Sequence, residues 1–322
     1  MVSHEIRIGT RGSPLALFQA NWVRENLLQK NPRLEVTLTV IKTTGDKIQD
    51  APLAKVGGKG LFVKEIEEAL LEERIDLAVH SIKDVPTEFP EGLHLAAVTK
   101  REDPRDAFIS KDETRLQNLR QGAKIGTSSL RRQAQLLHFR PDLEMIPMRG
   151  NLDTRLKKLD SMNLDAIVLA LAGVKRLGFD QRVTEILPVE ISLPAIGQGA
   201  LGIEMRVSDS VTEPYVQALN DPDSAVCVLA ERAFLKKLEG GCQVPIAAYG
   251  RKTGSTLRLE GMVATVDGKT LIRHHVTGSV EEQETLGMKL AEILLDMGAQ
   301  KILDEIYGRL APSVSLEDRN NE

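Results

Sequence analysis

The chain has 322 residues, a formal net charge of −4 at pH 7 and an aromatic content of 3%. This charge and the scarcity of aromatic rings disfavour nucleic-acid binding, which needs a basic face or stacking platforms, and two cysteines are too few to suggest a disulfide framework. No stretch reaches the roughly 18 apolar residues that span a bilayer, and the first residues lack an apolar run of signal-peptide length. We therefore expect a cytoplasmic protein of two or three domains, with neither a membrane nor a nucleic acid as partner.

Strands and helices alternate in the first half of the chain. The segment IRIGT at 6–10 predicts a short buried strand, and Ser13 and Pro14 predict the N-cap and first turn of the following helix. The spacing of apolar residues predicts a further strand, helix and strand, at 34–43, 61–73 and 76–82. This order predicts a mainly parallel sheet covered by helices.

The same pattern restarts after residue 122. The segment AKIGTSSLRRQAQLL at 123–137 resembles IRIGTRGSPLALFQA at 6–20, and a strand predicted at 165–174 takes the place of the one at 76–82. Any two strand–helix–strand units share such features, but the shared Gly-Thr and serine-cap pattern favours two similar α/β domains. Facing α/β domains usually bind ligands between them, at the carboxyl ends of the strands. The crossings between these domains are predicted at 96–106 and 193–200.

The composition changes at about residue 222. A helix at 224–238 ends at two glycines, and Asp267-Gly268 predicts a hairpin turn. A long amphipathic helix, with Met297 on its apolar face, closes a separate, smaller α+β domain. The expected domains are a discontinuous α/β domain (1–99 and 200–217), a second α/β domain (105–193) and the α+β domain (222–322).

Arginines concentrate where the predicted strands end. Helix N-termini present free N–H groups and a partial positive charge, and guanidinium forks bind carboxylates in a bidentate fashion. Surface ion pairs would account for any one of these arginines, but so many at strand–loop–helix junctions favour a site for a small anion. The arginines in this set are Arg11, Arg131, Arg132, Arg149, Arg155 and Arg176.

A long loop at 44–60 contains several glycines and carries Lys55 and Lys59. Loops of this length in compact domains often act as lids over a site. The GGKG sequence in this loop lacks the spacing of a phosphate-binding P-loop. We expect a mobile lid with cationic side chains, and a disordered surface loop is the alternative.

Asp84 and Cys242 are the candidates for chemistry. Asp84 ends a strand beside Lys83; an aspartate before Val-Pro is often only a turn residue, but beside a cationic site it can stabilise a developing cation or transfer a proton. Cys242 follows two glycines in a loop with little steric cover, where a thiolate would be accessible, although an unused cysteine is equally compatible with this pattern. Cys227, in an amphipathic helix, is expected to be a buried hydrophobe. No spacing of His or Cys residues predicts a metal site.

Several segments along the chain carry specific motifs. They are IGTRGSPLAL, GKGLFVKEIE, AVHSIKDVP, IGTSSLRRQAQL, RGNLDTRL, LPAIGQGALGIE and RAFLKKLEGGCQVPIAA. In this order they resemble the motifs of the porphobilinogen deaminase family, also called hydroxymethylbilane synthases. The resemblance covers about residues 5–310.

The resemblance implies two domains like periplasmic binding proteins, with a hinge and a central cleft, and a smaller C-terminal α+β domain. It implies a transferase of heme biosynthesis that condenses four porphobilinogen molecules head to tail, with loss of ammonia, into the linear tetrapyrrole hydroxymethylbilane. The chain grows on one dipyrromethane cofactor per protein, attached to Cys242 by a thioether. Porphobilinogen carries an acetate and a propionate, which accounts for an arginine-rich cleft.

The resemblance also implies roles for individual residues. Asp84 would be catalytic, and Lys55 and Lys59 would belong to the lid. The cofactor-binding residues would be Lys83, Thr127, Ser128, Ser129, Arg131, Arg132, Gly150 and Arg155. The substrate-binding residues would be Arg11, Ser13, Arg149 and Arg176. No metal is implied, and the absence of a large apolar surface stripe favours a monomer.

Two other classes of protein remain as alternatives at the level of the sequence. A solute-binding or sensor protein built on the same two-domain cleft would need neither Cys242 nor Asp84, and such proteins usually carry a signal peptide or a DNA-binding domain. A phosphoribosyltransferase would also use arginines to hold phosphates, but no acidic pair in the chain is arranged for magnesium.

Overall fold

The computed structural model describes residues 5–47, 62–240 and 244–310. The predictions for Lys55, Lys59 and Cys242 therefore lie outside the described residues. Within the described ranges, no helix combines the length and the apolar character needed to cross a bilayer. Three β-sheets organise this part of the chain.

The first sheet combines strands from the start of the chain with one from much later. Its strands are β1 (Glu5–Thr10), β2 (Glu35–Val40), β3 (Leu77–Ser81), β4 (Leu93–Val98) and β10 (Leu201–Arg206). They lie in the order β2-β1-β3-β10-β4. The first three are parallel, and β10 is antiparallel to β3 and β4.

Helices cover both faces of this sheet. They are α1 (Pro14–Lys30), α2 (Thr44–Lys47) and α3 (Lys64–Leu71). Ser13 caps α1 by accepting a hydrogen bond from the N–H of Ala16, which confirms the predicted helix start. Val79 of β3 packs in the core that contains α1, whereas Ala78 packs with α3. Because side chains alternate along a strand, the two helices lie on opposite faces.

The second sheet repeats this arrangement. Its strands are β5 (Asp106–Ser110), β6 (Lys124–Gly126), β7 (Glu144–Ile146), β8 (Ala166–Ala170) and β9 (Glu185–Ile186), in the order β7-β6-β8-β5-β9. Strands β6, β7 and β8 are parallel, and β5 is antiparallel to β8 and β9. Its helices are α4 (Leu130–Phe139), α5 (Leu152–Ser161) and α6 (Leu171–Arg176). The equivalent strand orders support the duplication that the sequence predicts.

A smaller α+β unit follows the two sheets. It contains the antiparallel strands β11 (Ile246–Thr253), β12 (Thr256–Ala264) and β13 (Leu271–Ser279). Its helices are α8 (Pro222–Lys237), α9 (Gln283–Leu294) and α10 (Gln300–Leu310), and the short helix α7 (Glu213–Gln217) precedes them. Phe234, Leu259 and Leu290 are fully buried in its core. The predicted fold class, two α/β units and a smaller C-terminal α+β unit, is confirmed.

Two segments cross between the first and second sheets, one between β4 and β5 and one between β9 and β10. They pack tightly, since a Cβ at Gly199 would lie 2.4 Å from the carbonyl oxygen of Glu102. The carboxylate of Glu231, a fully buried residue of α8, binds both crossings. It pairs with Arg101 of the first crossing (3.1 Å), accepts from the N–H of Gly197 in the second (2.7 Å), and accepts from β11 at the N–H of Gly250 (2.8 Å).

Two predicted elements differ from the structure. The strand predicted at 165–174 ends at Ala170, and the rest of that segment begins helix α6. A continuous apolar run does not by itself distinguish a buried strand from a buried helix. The closing helix is also interrupted, because Gly298 adopts φ +106°, and Met297 is 50% exposed rather than part of the apolar face.

Candidate active site

The carboxyl ends of β1 and β3 enclose a small cavity. Its volume is about 60 Å³, and its lining includes Arg11, Ser13, His80 and Asp84. Asp84 ends the 3-10 turn Ile82–Asp84 that directly follows β3, and its side chain is exposed. The structure therefore brings together three of the predicted site residues, and it adds His80.

Arg11 has partners on either side of the undescribed segment 48–61. Its guanidinium forms an ion pair with Asp46, with Nε 3.2 Å from Oδ1, and stacks over the ring of Phe62 at 4.2 Å from the ring centre. Burial opposes ionisation of Asp46, but hydrogen bonds from Arg11 and Thr43 outweigh it and lower the pKa of this carboxyl. A ligand carboxylate at Arg11 therefore has to share or replace a strong existing partner.

Arg131 and Arg132 share one buried carboxylate. Asp106, at the start of β5, is fully buried and lies 2.9 Å from Nη1 of Arg131 and 2.8 Å from Nη2 of Arg132. Burial alone would raise the pKa of Asp106, but the two guanidinium groups hold it far below its usual range. Ser192 and Gln198 of the second crossing donate to the same carboxylate, at 2.7 and 2.9 Å. This cluster fixes the start of α4 to β5 and to the crossing.

Both arginines are 5% exposed and both donate to interior partners. Arg131 is 5% exposed and also donates to the carbonyl of Leu193 at 2.6 Å, so its guanidinium is committed to the interior. Arg132 donates to Asp106 and to the carbonyl of Val168, and its charge acts on Lys83 of the first sheet. That these two arginines contact a cofactor stays a prediction.

Lys83 and Arg155 bring the cations of the two sheets together. Burial lowers the pKa of Lys83; Arg132 and Arg155 lower it further, and Asp84 opposes them. Burial likewise lowers the pKa of Arg155 to about 10, with Arg132 and Arg149 adding to the effect and Asp84 opposing it. Cations that disfavour one another in this way have room for further negative charge, which a bound carboxylate would supply.

The turn between β7 and α5 is shaped around Gly150. Its φ of +115° lies in the region that favours glycine, and a Cβ at this position would lie 2.6 Å from Cγ2 of Thr154. The Nε of Arg155 donates to the carbonyl of Gly150 at 2.9 Å, which orients the guanidinium at the start of α5. This geometry explains how a cation is held in a first helical turn, where the helix dipole disfavours it.

Residues 127–129 form the N-terminal cap of α4. The Oγ of Ser129 accepts from the N–H of Arg132 at 3.4 Å, and Oγ1 of Thr127 accepts from the N–H of Ser129 at 3.2 Å. Ser128 is exposed and donates to the carbonyl of Met148 at 2.5 Å. The three hydroxyls therefore stabilise the local fold at the edge of the cation cluster; their contact with a cofactor stays a prediction.

Arg176 lies away from the cavity at β1 and β3. Its Nη2 donates to the carbonyl of Gly199 in the second crossing at 2.6 Å, and burial lowers its pKa while Glu102 opposes the shift. The carbonyl of Arg149 accepts from Nζ of Lys158 at 2.9 Å. The roles predicted for both arginines in substrate binding stay predictions.

Several residues of this region were not singled out from the sequence. Asp46 lies in the segment TGDK, next to the predicted lid, and Asp106 opens a strongly apolar strand. An acidic residue at the start of a buried strand needs a cationic partner, which is a signal that the sequence does contain. His80 and Glu204 each lie within a motif quoted above, but nothing in either motif indicates that they form a pair.

Comparison with protein families decides what this site belongs to. Residues 6–214 match the model described as "Porphobilinogen deaminase, dipyromethane cofactor binding domain", and residues 225–296 match "Porphobilinogen deaminase, C-terminal domain". The chain belongs to the porphobilinogen deaminase family. This confirms the family predicted from the sequence, and with it a transferase that builds a linear tetrapyrrole, and it sets aside the two alternative classes.

Relatives named porphobilinogen deaminase match this chain over nearly its whole length. The protein named porphobilinogen deaminase from Pelobacter propionicus is 59% identical over 309 residues, which cover 96% of this chain and 99% of the relative. The one from Geobacter sulfurreducens is 60% identical over 309 residues, which cover 96% and 97%. The similarity therefore includes all three sheets.

Solved structures resemble the chain more remotely. The probable amino-acid ABC transporter extracellular-binding protein YtmK of Bacillus subtilis has a TM-score of 0.41 at 10% identity, covering 68% of this chain and 90% of its own. The alkanesulfonate-binding protein SsuA of Xanthomonas axonopodis pv. citri has a TM-score of 0.38 at 14% identity, covering 73% and 75%.

The residues between the two sheets suit the cofactor that the porphobilinogen deaminase model names. A dipyrromethane made from two porphobilinogen units carries an acetate and a propionate on each ring. Beyond the effect of burial, the charge of Arg132 lowers the pKa of both Lys83 and Arg155, which indicates a cation cluster that more negative charge would stabilise. Within the part of the chain that the structure describes, no group of three or more His, Cys, Asp or Glu residues is placed to hold a metal ion.

Proposed function

We propose that this member of the porphobilinogen deaminase family condenses four porphobilinogen molecules into hydroxymethylbilane on a dipyrromethane primer joined to Sγ of Cys242, with Asp84 as the catalytic carboxylate. The observation that carries the proposal is the meeting of an exposed carboxylate, Asp84, with the cations Lys83 and Arg155 at the carboxyl ends of the strands. An anionic substrate that becomes cationic during reaction needs both kinds of charge.

The cations would hold the carboxylates of the growing chain. Lys83, Arg132 and Arg155 are half-buried or buried and close enough for their charges to interact. Guanidinium groups oriented by backbone contacts, as Arg155 is by Gly150, lose little entropy when they bind a carboxylate. Arg11, Ser13, Arg149 and Arg176 are proposed for the incoming substrate, and Thr127, Ser128, Ser129 and Arg131 for the cofactor's surroundings.

Asp84 would act on the reacting atoms. When the C–N bond of the aminomethyl group breaks and ammonia leaves, positive charge spreads over the substrate's pyrrole ring. The exposed carboxylate of Asp84 can accept a hydrogen bond from the ring N–H and stabilise that charge, and it can accept the proton lost after the new C–C bond forms. When bound, the dipyrromethane supplies the free α-carbon to which substrate units are joined.

The attachment to Cys242 rests on comparing the two cysteines of the chain. Cys227 is buried in α8, burial raises the pKa of its thiol to about 11, and the backbone of Gly250 packs against it, so it is a poor nucleophile. Cys242 lies in the motif EGGCQVP, between the described residues Gly240 and Val244.

The intact mass of the purified protein tests the attachment. We expect the wild type and Cys227→Ser to exceed their calculated masses by two linked pyrrole units, and Cys242→Ser to lack this excess and all tetrapyrrole synthesis. Incubation with porphobilinogen before the measurement allows an unloaded protein to acquire the cofactor. An excess mass that persists in Cys242→Ser, or is absent from the wild type after incubation, would refute the attachment.

The remaining proposals concern organisation. We propose the domain limits 1–99 with 200–217, 105–193 and 222–322, supported by the three separate sheets and by the crossings near residues 99–105 and 187–200. We also propose a cytoplasmic monomer that binds porphobilinogen and neither nucleic acid nor membrane, with Lys55 and Lys59 in a lid. The net charge of −4 supports the absence of a nucleic-acid partner.

A further inference from the structure

Three buried ionisable side chains form a cluster directly behind the cavity that contains Asp84. His80 is 6% exposed, and its Nε2 lies 2.9 Å from Oε2 of Glu204 on the neighbouring strand β10. Glu204 is 1% exposed, and its other oxygen, Oε1, has no hydrogen-bond partner among the described residues. Glu67 of α3 is 9% exposed, and its charge interacts with both of the others. The proposed mechanism uses none of these groups.

The cluster lies on the face of the sheet that α3 covers. Residue 80 of β3 pairs with residue 202 of β10, and residue 78 pairs with Glu204, so His80 and Glu204 share one face. Ala78 on that face packs in the core of α3. His80 is the member that reaches the cavity, where it lines the same space as Arg11, Ser13 and Asp84.

Carboxylates outnumber the histidine among the three members of the cluster. Two carboxylates face one histidine, and burial penalises every charge that lacks a partner. The pKa of Glu67 rises to about 7, first because of burial and then because of the charge of Glu204, while His80 opposes the rise. Glu67 therefore keeps its proton in the acidic range and releases it close to neutral pH.

Other charges surround the cluster. From α8, Arg232 interacts with Glu204 and donates to the carbonyls of Val85 and Pro86, just after Asp84. From α3, the exposed Glu68 adds a small repulsion to Glu67. Arg11 and Asp84 face His80 across the cavity. Ionisation of Glu67 thus adds one negative charge to this region.

We propose that Glu67, Glu204 and His80 act as one buried proton-holding group behind the Asp84 cavity, and that loss of its proton weakens binding of the anionic substrate there. The inference rests on the proposed function, since it takes the ligand of this cavity to be a carboxylate. Glu67 and Glu204 are positioning residues that act through His80, and the cluster makes substrate affinity depend on pH.

The test is the pH dependence of KM for porphobilinogen, measured between pH 6 and pH 8.5 on the cofactor-loaded enzyme. The variant is Glu67→Gln, which has the shape of the protonated residue and cannot ionise. Dividing the wild-type KM by the variant KM at each pH removes the titration of the substrate and of groups common to both proteins. We expect this ratio to rise with pH by on the order of three- to tenfold, the effect of one charge acting across the protein interior.

Two further variants sharpen the result. Glu68→Gln changes the next residue of α3, which is exposed. The wild-type KM divided by the KM of this variant should stay constant with pH. Glu204→Gln removes a charge that raises the pKa of Glu67, so the rise in KM should begin at a lower pH than in the wild type. This variant also provides the test if Glu67→Gln does not fold.

The outcomes separate the two proposals. A wild type that makes no tetrapyrrole from porphobilinogen would refute the proposed function. An active enzyme whose KM ratio is independent of pH, or whose KM profile is unmoved in Glu204→Gln, would overturn the role of the cluster and leave the function intact. A change confined to kcat would also overturn it, because the proposed effect is on binding.

Discussion

Asp84 differs from the two other aspartates around the predicted site. Asp46 is held by Arg11, and Asp106 is fully buried between two arginines, so both are committed to ion pairs. Asp84 follows β3 directly, is exposed, and lines the cavity. Asp84 lies in a short turn that begins at Ile82, and Arg232 donates to the carbonyl of Val85, the next residue. A carboxylate fixed in this way can stabilise the positive charge that develops on a substrate.

We predict that Asp84→Ala lowers kcat by about 10²- to 10³-fold, the usual cost of removing one group that stabilises charge in a transition state. Asp84→Glu keeps the charge but displaces it, so its kcat should lie between that of the wild type and that of Asp84→Ala. The measurement is the rate of tetrapyrrole formation, made on protein whose intact mass exceeds its own calculated mass by the same two pyrrole units as in the wild type. Asp112→Ala, in an exposed turn, is the control and should retain wild-type kcat. Normal turnover by Asp84→Ala would show that the carboxylate has another role.

At the scale of elements, the hairpin between β12 and β13 joins the third sheet to helix α4. Its turn residue Gly268 has φ +70°, and its carbonyl lies 2.9 Å from Nδ1 of His138 near the end of α4. A Cβ on Gly268 would lie 2.5 Å from the carbonyl oxygen of Ala134. The same helix carries Arg131 and Arg132 at its other end, so this contact fixes the position of the buried ion-pair cluster relative to the third sheet.

A pair of glycine substitutions measures this contact. Gly254→Ala places a side chain at a φ of +59° with no atom within 4 Å, so it should cost only the backbone strain, about 1–2 kcal/mol. Gly268→Ala adds a backbone clash to a similar strain, and we expect at least about 1 kcal/mol more. Urea denaturation monitored by circular dichroism gives both free energies of unfolding. Equal losses of unfolding free energy in the two variants would mean that the hairpin does not pack tightly against α4.

At the scale of the whole molecule, the sequence predicted what depends on local pattern and missed what depends on distant pairs. Ser13 was identified as a helix cap because a cap and its helix are adjacent in the chain. The pairing of Arg131 with Asp106 joins residues 25 positions apart, and that of His80 with Glu204 joins residues 124 apart. The sequence analysis expected residues 200–217 to return to the first domain, but it did not indicate that β10 would lie beside β3.

The grouping of the cations also depends on segments that are distant in the sequence. The sequence predicted an anion site from arginines at strand ends, and the structure places Arg132 and Arg155 near Lys83. The sequence did not show that Arg131 and Arg132 are both buried against interior partners. The burial of these guanidinium groups depends on how three segments pack together: the start of β5, α4 and the second crossing. The sequence of each segment alone does not indicate this packing.

The pH dependence of stability is a property of the whole chain, and Glu67 contributes to it. Its pKa is raised from 4.5 to about 7, so below pH 4.5 the folded and unfolded states both hold the proton. Between these values only the unfolded chain releases it, so the folded state loses stability as pH rises from 4.5 to about 7, and the loss is complete above the folded pKa. Relative to the wild type, Glu67→Gln should therefore gain stability with pH, by up to about 3 kcal/mol at pH 8. Urea denaturation at pH 4.5 and pH 8 measures the gain; an equal difference at both pH values would contradict it.

The position of Glu231 has a mechanical consequence. Its carboxylate binds Arg101 in one crossing, Gly197 in the other, and Gly250 in the third sheet, so the third sheet is fastened at the line where the other two are joined. If the first two sheets rotate relative to each other about the crossings, Glu231 lies close to the rotation axis. Atoms near the axis move little for each degree of rotation, while those at the outer edges of the cleft move farthest. The space available to an elongating chain would then change mainly at the outer edges, and the third sheet would keep its position relative to the axis.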